Sequence, residues 1–177
     1  FIEKYGESSV NNVVLIEPSE IVIKRAALHC LKFAPKASIR TICKKLNDVE
    51  LADIIFNSNA PTIHLFSNIL DIDGYSTGQL LNLITANLSS INYFVCVSPY
   101  IDEIKSARLN TFMKYFSRYP TFTLYHDIEN TKYGDFWLCN NSFQKDNFFH
   151  GKMSSCREYD ADGCLNKWTR VLKVFSV

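Results

Sequence analysis

Glu17 is the side chain of this sequence best placed to do chemistry. It follows Val13-Val14-Leu15-Ile16 directly and precedes Pro18-Ser19-Glu20, where a helical pattern begins. Consecutive apolar residues, mostly branched, predict a strand buried on both faces. The carboxylate after them falls at the strand's carboxyl end, the edge at which open α/β sheets bind ligands. An acid there can accept two hydrogen bonds from the vicinal hydroxyls of a ribose. Asn47 and Asp48, in the polar turn Leu46-Asn47-Asp48-Val49, stand at the same edge if the strand before them runs parallel to the first. That pair reads either as turn chemistry or as adenine recognition. Ser67 and Asn68 follow the apolar run Ile63-His64-Leu65-Phe66, and a strand giving way to small polar residues is how a sheet edge opens onto a cleft.

The elements that must position these residues alternate along the chain. Phe1 to Tyr5, closed by Gly6, reads as the last turn of a helix. The strand Val13–Ile16 follows. Ser19 is an N-cap for a helix in which Ile23, Ala26, Ala27, Cys30, Leu31 and Ala34 recur on one face, with Lys24, Arg25, His29, Lys32 and Lys36 on the other. Pro35 ends it, and alternation through Ile39, Thr41 and Cys43 predicts a short strand. After the run at 63–66, Ser76 or Thr77 caps a helix carrying Leu80, Leu81, Ile84 and Leu88. Asn92–Pro99 is the next strand. A helix from Ile101 to about Tyr119 presents Leu109, Phe112, Met113 and Phe116 as its apolar stripe. Strand and helix taking turns in this way predict a mostly parallel sheet with helices on both faces. After Pro120 the period changes to two, at Thr121–Tyr125 and Trp168–Phe175, as in antiparallel strands. The polar and aromatic connection between them, Asp127 to Lys167, has the length of a functional or partly structured loop.

Composition bounds the rest. A length of 177 residues suits one domain with a sizeable core. The net charge of +1 gives no strong steering field for nucleic acid, and the basic residues between Lys24 and Lys45 read as a solvated face or a local patch. No apolar run approaches a membrane span. Six cysteines without a CxxC pair fit a reducing, cytoplasmic setting. The first residues lack the features of a signal peptide, and the missing initiator methionine suggests a piece of a longer chain.

Laid out this way, the chain resembles the class I S-adenosylmethionine-dependent methyltransferases from their second strand to their last. Val-Val-Leu-Ile-Glu-Pro-Ser-Glu running into a helix with Lys-Arg-Ala is similar to the segment whose acid binds the cofactor's ribose. His64-Leu65-Phe66-Ser67-Asn68-Ile69-Leu70-Asp71-Ile72 is similar to the fourth strand and its loop. A last helix followed by two antiparallel strands is similar to the reversed hairpin that closes the family's sheet. The resemblance implies one Rossmann-like α/β domain over residues 1–177, mostly parallel with a C-terminal antiparallel hairpin. It lacks the first strand and its glycine-rich loop, and so is N-terminally incomplete. It further implies S-adenosylmethionine as cofactor, with Glu17 on the ribose, Pro18 and Ser19 flanking the adenine, Asn47 or Asp48 near its amino group, and Ser67 and Asn68 lining the floor near the sulfonium. The methyl acceptor is not named by the sequence. Aligning a nucleophile with an already activated methyl group would supply most of the catalysis. A non-catalytic domain of the same fold, contacting protein or nucleic acid within a larger polypeptide, is the alternative, and a different nucleotide-binding protein with a similar sheet is a third.

Other groupings carry less. Cys139, His150, Cys156 and Cys164 match no zinc spacing, and Asp71-Ile72-Asp73-Gly74 and Asp160-Ala161-Asp162-Gly163 lack the rest of a calcium loop, so no metal site is expected. Ser67-Asn68-Ile69-Leu70 stands where amino-directed nucleic-acid methyltransferases carry a proline-rich tetrapeptide. Tyr133, Phe136, Trp137, Phe143, Phe148 and Phe149 could stack on a base, pack on a partner or cover the sheet edge. His126 and Asp127 are candidates for a role near a substrate.

Overall fold

The computed structural model describes residues 10–54, 60–88, 90–99, 103–129 and 170–177. The helix end expected at 1–6 and the late connection with its aromatic residues and three of its cysteines lie outside the described residues. The chain forms two compact units, Phe1–Asn59 with Gly74–Ser89, and Ala60–Asp73 with Ser90–Val177.

In the first unit, β1 (Asn12–Ile16), α1 (Glu20–Phe33) and β2 (Ser38–Ile42) form a strand, helix, strand crossover. β1 and β2 run parallel, in a register from Asn12 opposite Ser38 to Ile16 opposite Ile42. Ser19 caps α1 by accepting a hydrogen bond from the Val22 N–H, and Pro35 holds Ala34 out of the helical region, where φ is −134° and ψ is 67°. A 3-10 turn (Leu46–Asp48), the short α2 (Leu51–Ile54) and α3 (Thr77–Thr85) complete the unit. Ile42, Val49 and Leu83 pack together, with Val14 and Ile54 against them.

The β1 residues were expected to be buried on both faces, yet Val13, Val14 and Leu15 are half-buried and Ile16 is exposed. Among the described residues β1 pairs with β2 alone, in a two-stranded sheet. Leu31, placed on the core face of α1 by periodicity, is exposed, because Ile23 and Ala34 centre the buried arc and Leu31 falls at its margin. On α3 the buried set is Leu80, Leu83 and Ile84, with Leu81 only half-buried.

The second unit holds β3 (Thr62–Ser67), β4 (Asn92–Pro99), α4 (Glu103–Phe116), β5 (Thr123–Glu129) and β6 (Arg170–Ser176). The strand order is β3-β4-β6-β5. β3 and β4 are parallel, while β6 is antiparallel to both β4 and β5. β5 begins two residues later than its alternation predicted and continues to Glu129 across a register shift between Leu124 and His126. The core is aromatic. Phe94 stacks on Phe175 with centroids 4.7 Å apart, Phe116 lies 4.6 Å from Phe94, and Phe112 meets Phe66 and Phe116 edge-on. Such pairs contribute roughly 0.5–1.5 kcal/mol each beyond the area they bury. Leu109, Phe112 and Phe116 all face this core, as the periodicity of α4 predicted.

Candidate functional site

β1 and β2 deliver their carboxyl ends to the same edge. The Glu17 N–H donates to the Ile42 carbonyl at 3.2 Å, so Glu17 leaves the sheet beside the end of β2. Its side chain then turns back along the chain. Oε1 accepts the Ser19 N–H at 2.9 Å, and Ser19 Oγ accepts the Val22 N–H at 3.4 Å. Together they satisfy two of the amide donors that a helix start leaves without an intrahelical acceptor. Among the described residues Oε2 meets no donor, so the half-buried carboxylate keeps acceptor capacity at the sheet edge. Pro18 is exposed, and its carbonyl accepts from the Cys43 thiol at 3.5 Å.

Asn47 is occupied by the chain itself. Its Nδ2 donates to the Gly74 carbonyl at 2.9 Å, its Oδ1 accepts the Ser76 N–H at 2.8 Å, and its own carbonyl accepts from Gln79 Nε2 at 2.7 Å. These bonds fasten the 3-10 turn to the start of α3, where Ser76 is the N-cap. Gly74 takes φ of +102° here, a conformation open to glycine without steric cost. Asp48 is exposed at the same turn.

Ser67 and Asn68 belong to the second unit. Both are exposed, and the Asn68 N–H donates to Val97 at 2.8 Å. Asn68 adopts φ of 56°, the left-handed region that asparagine enters more readily than most residues. Three residues on, Asp71 is buried and accepts a 3.0 Å hydrogen bond from the equally buried Ser98 hydroxyl. The sequence marks Asp71 only as a turn residue; a carboxylate within the apolar spacing of Ile69, Leu70 and Ile72 was the available signal. Asp73 pairs with Arg108, which also donates to the Ile72 carbonyl. This fastens the loop onto α4.

His126 is exposed, and the carboxylate of Asp127 accepts from Lys173. Elsewhere, burial pushes the Cys96 thiol up to about 12. Burial also lowers His64 below the ordinary imidazole value, against the opposing hydrogen bond to Asn92. Among the described residues no cluster of three or more His, Cys, Asp or Glu side chains is arranged for a metal ion, and no helix is long and apolar enough to cross a membrane. A groove of about 570 Å³ opens between α1 and β2, lined by Ile23, Ala27, Leu28, Leu31, Thr41 and Cys43 with Glu20 and Lys24. Glu17 is not part of its lining, so the groove and the carboxylate edge are separate features.

The class defined by these elements is an α/β protein with mixed parallel and antiparallel strands. Compared with family models, with curated proteins and with solved structures, the chain finds no match in any of the three.

Proposed function

We propose that the chain is an S-adenosylmethionine-dependent methyltransferase-like domain of Rossmann-like fold. The observation that carries this reading is the position of Glu17. It is a carboxylate at the carboxyl end of a parallel pair, with one oxygen committed to Ser19 and the other open. An acceptor so held suits a ribose hydroxyl, since its orientation is fixed before the ligand arrives. The order β4-β6-β5, with the last strand antiparallel between its neighbours, also fits the reversed hairpin of that family. When bound, the cofactor would supply an activated methyl group. The chain would hold the ribose through Glu17 and line the adenine with Pro18, Ser19 and Asp48, while Asn47 would shape the turn from within.

One observation favours a second reading, a non-catalytic interaction domain of the same fold. Glu17 and Asn47 both bond the chain's own backbone, and structural roles alone account for those bonds. Calorimetry with S-adenosylhomocysteine separates the two, run on this chain and on one extended upstream of Phe1. The enzyme reading expects binding that Glu17→Gln weakens on the order of tenfold to a hundredfold, the size of a lost charge-assisted hydrogen bond. Glu17→Gln keeps an oxygen for the Ser19 N–H, so the fold survives the test. Absence of binding by both chains favours the interaction domain.

A further inference from the structure

We infer that the outer flank of α1, with the neighbouring edge of β2, is a docking groove for an acidic amphipathic helix of a partner protein. The proposal uses none of the residues assigned to the ribose and is independent of the methyltransferase reading. Its first support is shape and lining. The groove of about 570 Å³ is walled by Ala27, Leu28 and Leu31 with the Glu20–Lys24 pair on the helix, and by Thr41 and Cys43 at the end of the strand. Leu28 is 66% exposed and Leu31 49% exposed. Each leaves enough side chain in water for its removal by a partner to be favourable. These residues lie at i and i+3 or i+4 spacing on one flank, the geometry in which a second helix lays its apolar stripe into a groove.

The second support is charge. Residues 21–45 contain seven lysines and arginines and no aspartate or glutamate, although the whole chain is almost neutral. Lys24 is paired with Glu20, and Lys44 with Asp53. Arg25, Lys32, Lys36 and Lys45 are exposed and have no carboxylate partner among the described residues. Arg25 and Lys32 stand at i−3 and i+4 from Leu28 on α1. Unneutralised cations therefore flank the apolar strip on the helix, while Glu20 and Lys24 within it neutralise each other. This arrangement is complementary to a helix with leucine-type anchors and flanking carboxylates. Complementary charge of this kind speeds encounter and fixes orientation.

The lining also decides between a protein and a nucleic acid. Single-stranded nucleic acids are held by aromatic faces on which bases stack, whereas this groove is walled by aliphatic side chains, a threonine, a cysteine and the paired Glu20 and Lys24, with no aromatic ring among them. Leucines at helical spacing match side chains of the same kind.

The test uses the full 177-residue chain and a fluorescein-labelled synthetic peptide. The peptide is about as long as α1, with leucines on one helical face and glutamates on the other, and is read by fluorescence anisotropy. We expect saturable binding that weakens as salt rises, and that falls roughly tenfold or more in Leu28→Asp, as for a central apolar anchor. Leu28 is largely exposed, so this variant is expected to fold; unchanged circular dichroism checks it. Lys32→Glu with Lys36→Glu should weaken the glutamate peptide and strengthen the same peptide carrying lysines. No binding of the glutamate peptide overturns the proposal. So does binding of single-stranded RNA that Leu28→Asp leaves unchanged, and so does a self-associated dimer in sedimentation that Leu28→Asp dissolves, which would give the face to a second copy.

Discussion

Lys173, in the strand between two antiparallel neighbours, gives its ammonium to the carboxylate of Asp127 across the sheet. The lysine side chain is 2% exposed and the aspartate 41%, so the cation is the desolvated member and the anion still meets water. The two partners therefore respond differently to removal. Asp127→Ala takes a counter-charge from a buried ammonium and should cost roughly 1–3 kcal/mol. Lys173→Met removes the buried charge itself, leaves an aspartate that water can solvate, and should cost less or stabilise. Urea denaturation of the two variants checks the ordering, and equal losses would contradict it.

His64 supplies the pH dependence. Its ring lies on Phe94 at 4.6 Å with an interplanar angle of 13°, and its Nε2 meets Asn92 Oδ1 at 3.1 Å. The Asn92 amide nitrogen is already donating to the Ser90 carbonyl at 2.6 Å, so Asn92 Oδ1 is the acceptor and His64 Nε2–H the donor. Burial lowers the imidazole below its ordinary value of 6.5. Between the lowered value and 6.5 the unfolded chain therefore binds more protons than the folded one, and stability rises with pH across that window. The contribution is fully present above pH 6.5 and is lost as pH falls below it. Denaturation midpoints from pH 5 to pH 8 should decline on the acid side, and His64→Gln should flatten that decline.

The alternation of strand and helix was legible because each element carries its own period and punctuation: Ser19 and Ser76 as caps, Pro35 as a stop, Leu109, Phe112 and Phe116 as a stripe. Strand direction followed from connection length, since a helix between β1 and β2 allows them to run parallel. What periodicity could not give was the extent of cover. Leu31 and Leu28 have the composition of core, but burial depends on a second element lying over them, and no local pattern encodes that. The site was legible in part. Glu17 was recognised as an edge carboxylate, whereas its bond to Ser19 depends on a side-chain torsion. The bonds of Asn47 join residues about thirty positions apart, and Asp71 meets Ser98 only because the loop after β3 folds back onto the end of β4.

Asn47 offers a separation of structural from ligand-binding roles at one turn. Asn47→Ala removes the donor to Gly74 and the acceptor for Ser76 together, and should lower stability by about 1–2 kcal/mol. Asn47→Asp keeps the acceptor, and its charge lies at the start of α3, where the helix dipole favours an anion, so its loss should be smaller. Asp48→Ala, at an exposed position, should leave the denaturation midpoint nearly unchanged and report only on nucleoside binding. Thermal melts of the three variants rank them, and an Asp48→Ala protein as unstable as Asn47→Ala would assign both residues to the turn.

Thiol chemistry reads out the two units independently. Cys43 is exposed at the end of β2, and Cys96 is buried within β4. Burial pushes the Cys96 thiol up to about 12, so at pH 8 almost none of it is the thiolate that alkylating reagents attack. Iodoacetamide at that pH should therefore modify Cys43 under native conditions and reach Cys96 only when the β3-β4-β6-β5 sheet opens. The Cys96 labelling rate, followed by peptide mass analysis, should accelerate in Phe94→Ala, which deletes a ring from the centre of the aromatic core at a cost of about 3–5 kcal/mol. Labelling of Cys43 should change far less, because its exposure does not depend on that core. Parallel acceleration at both cysteines would mean that the two units unfold as one cooperative body.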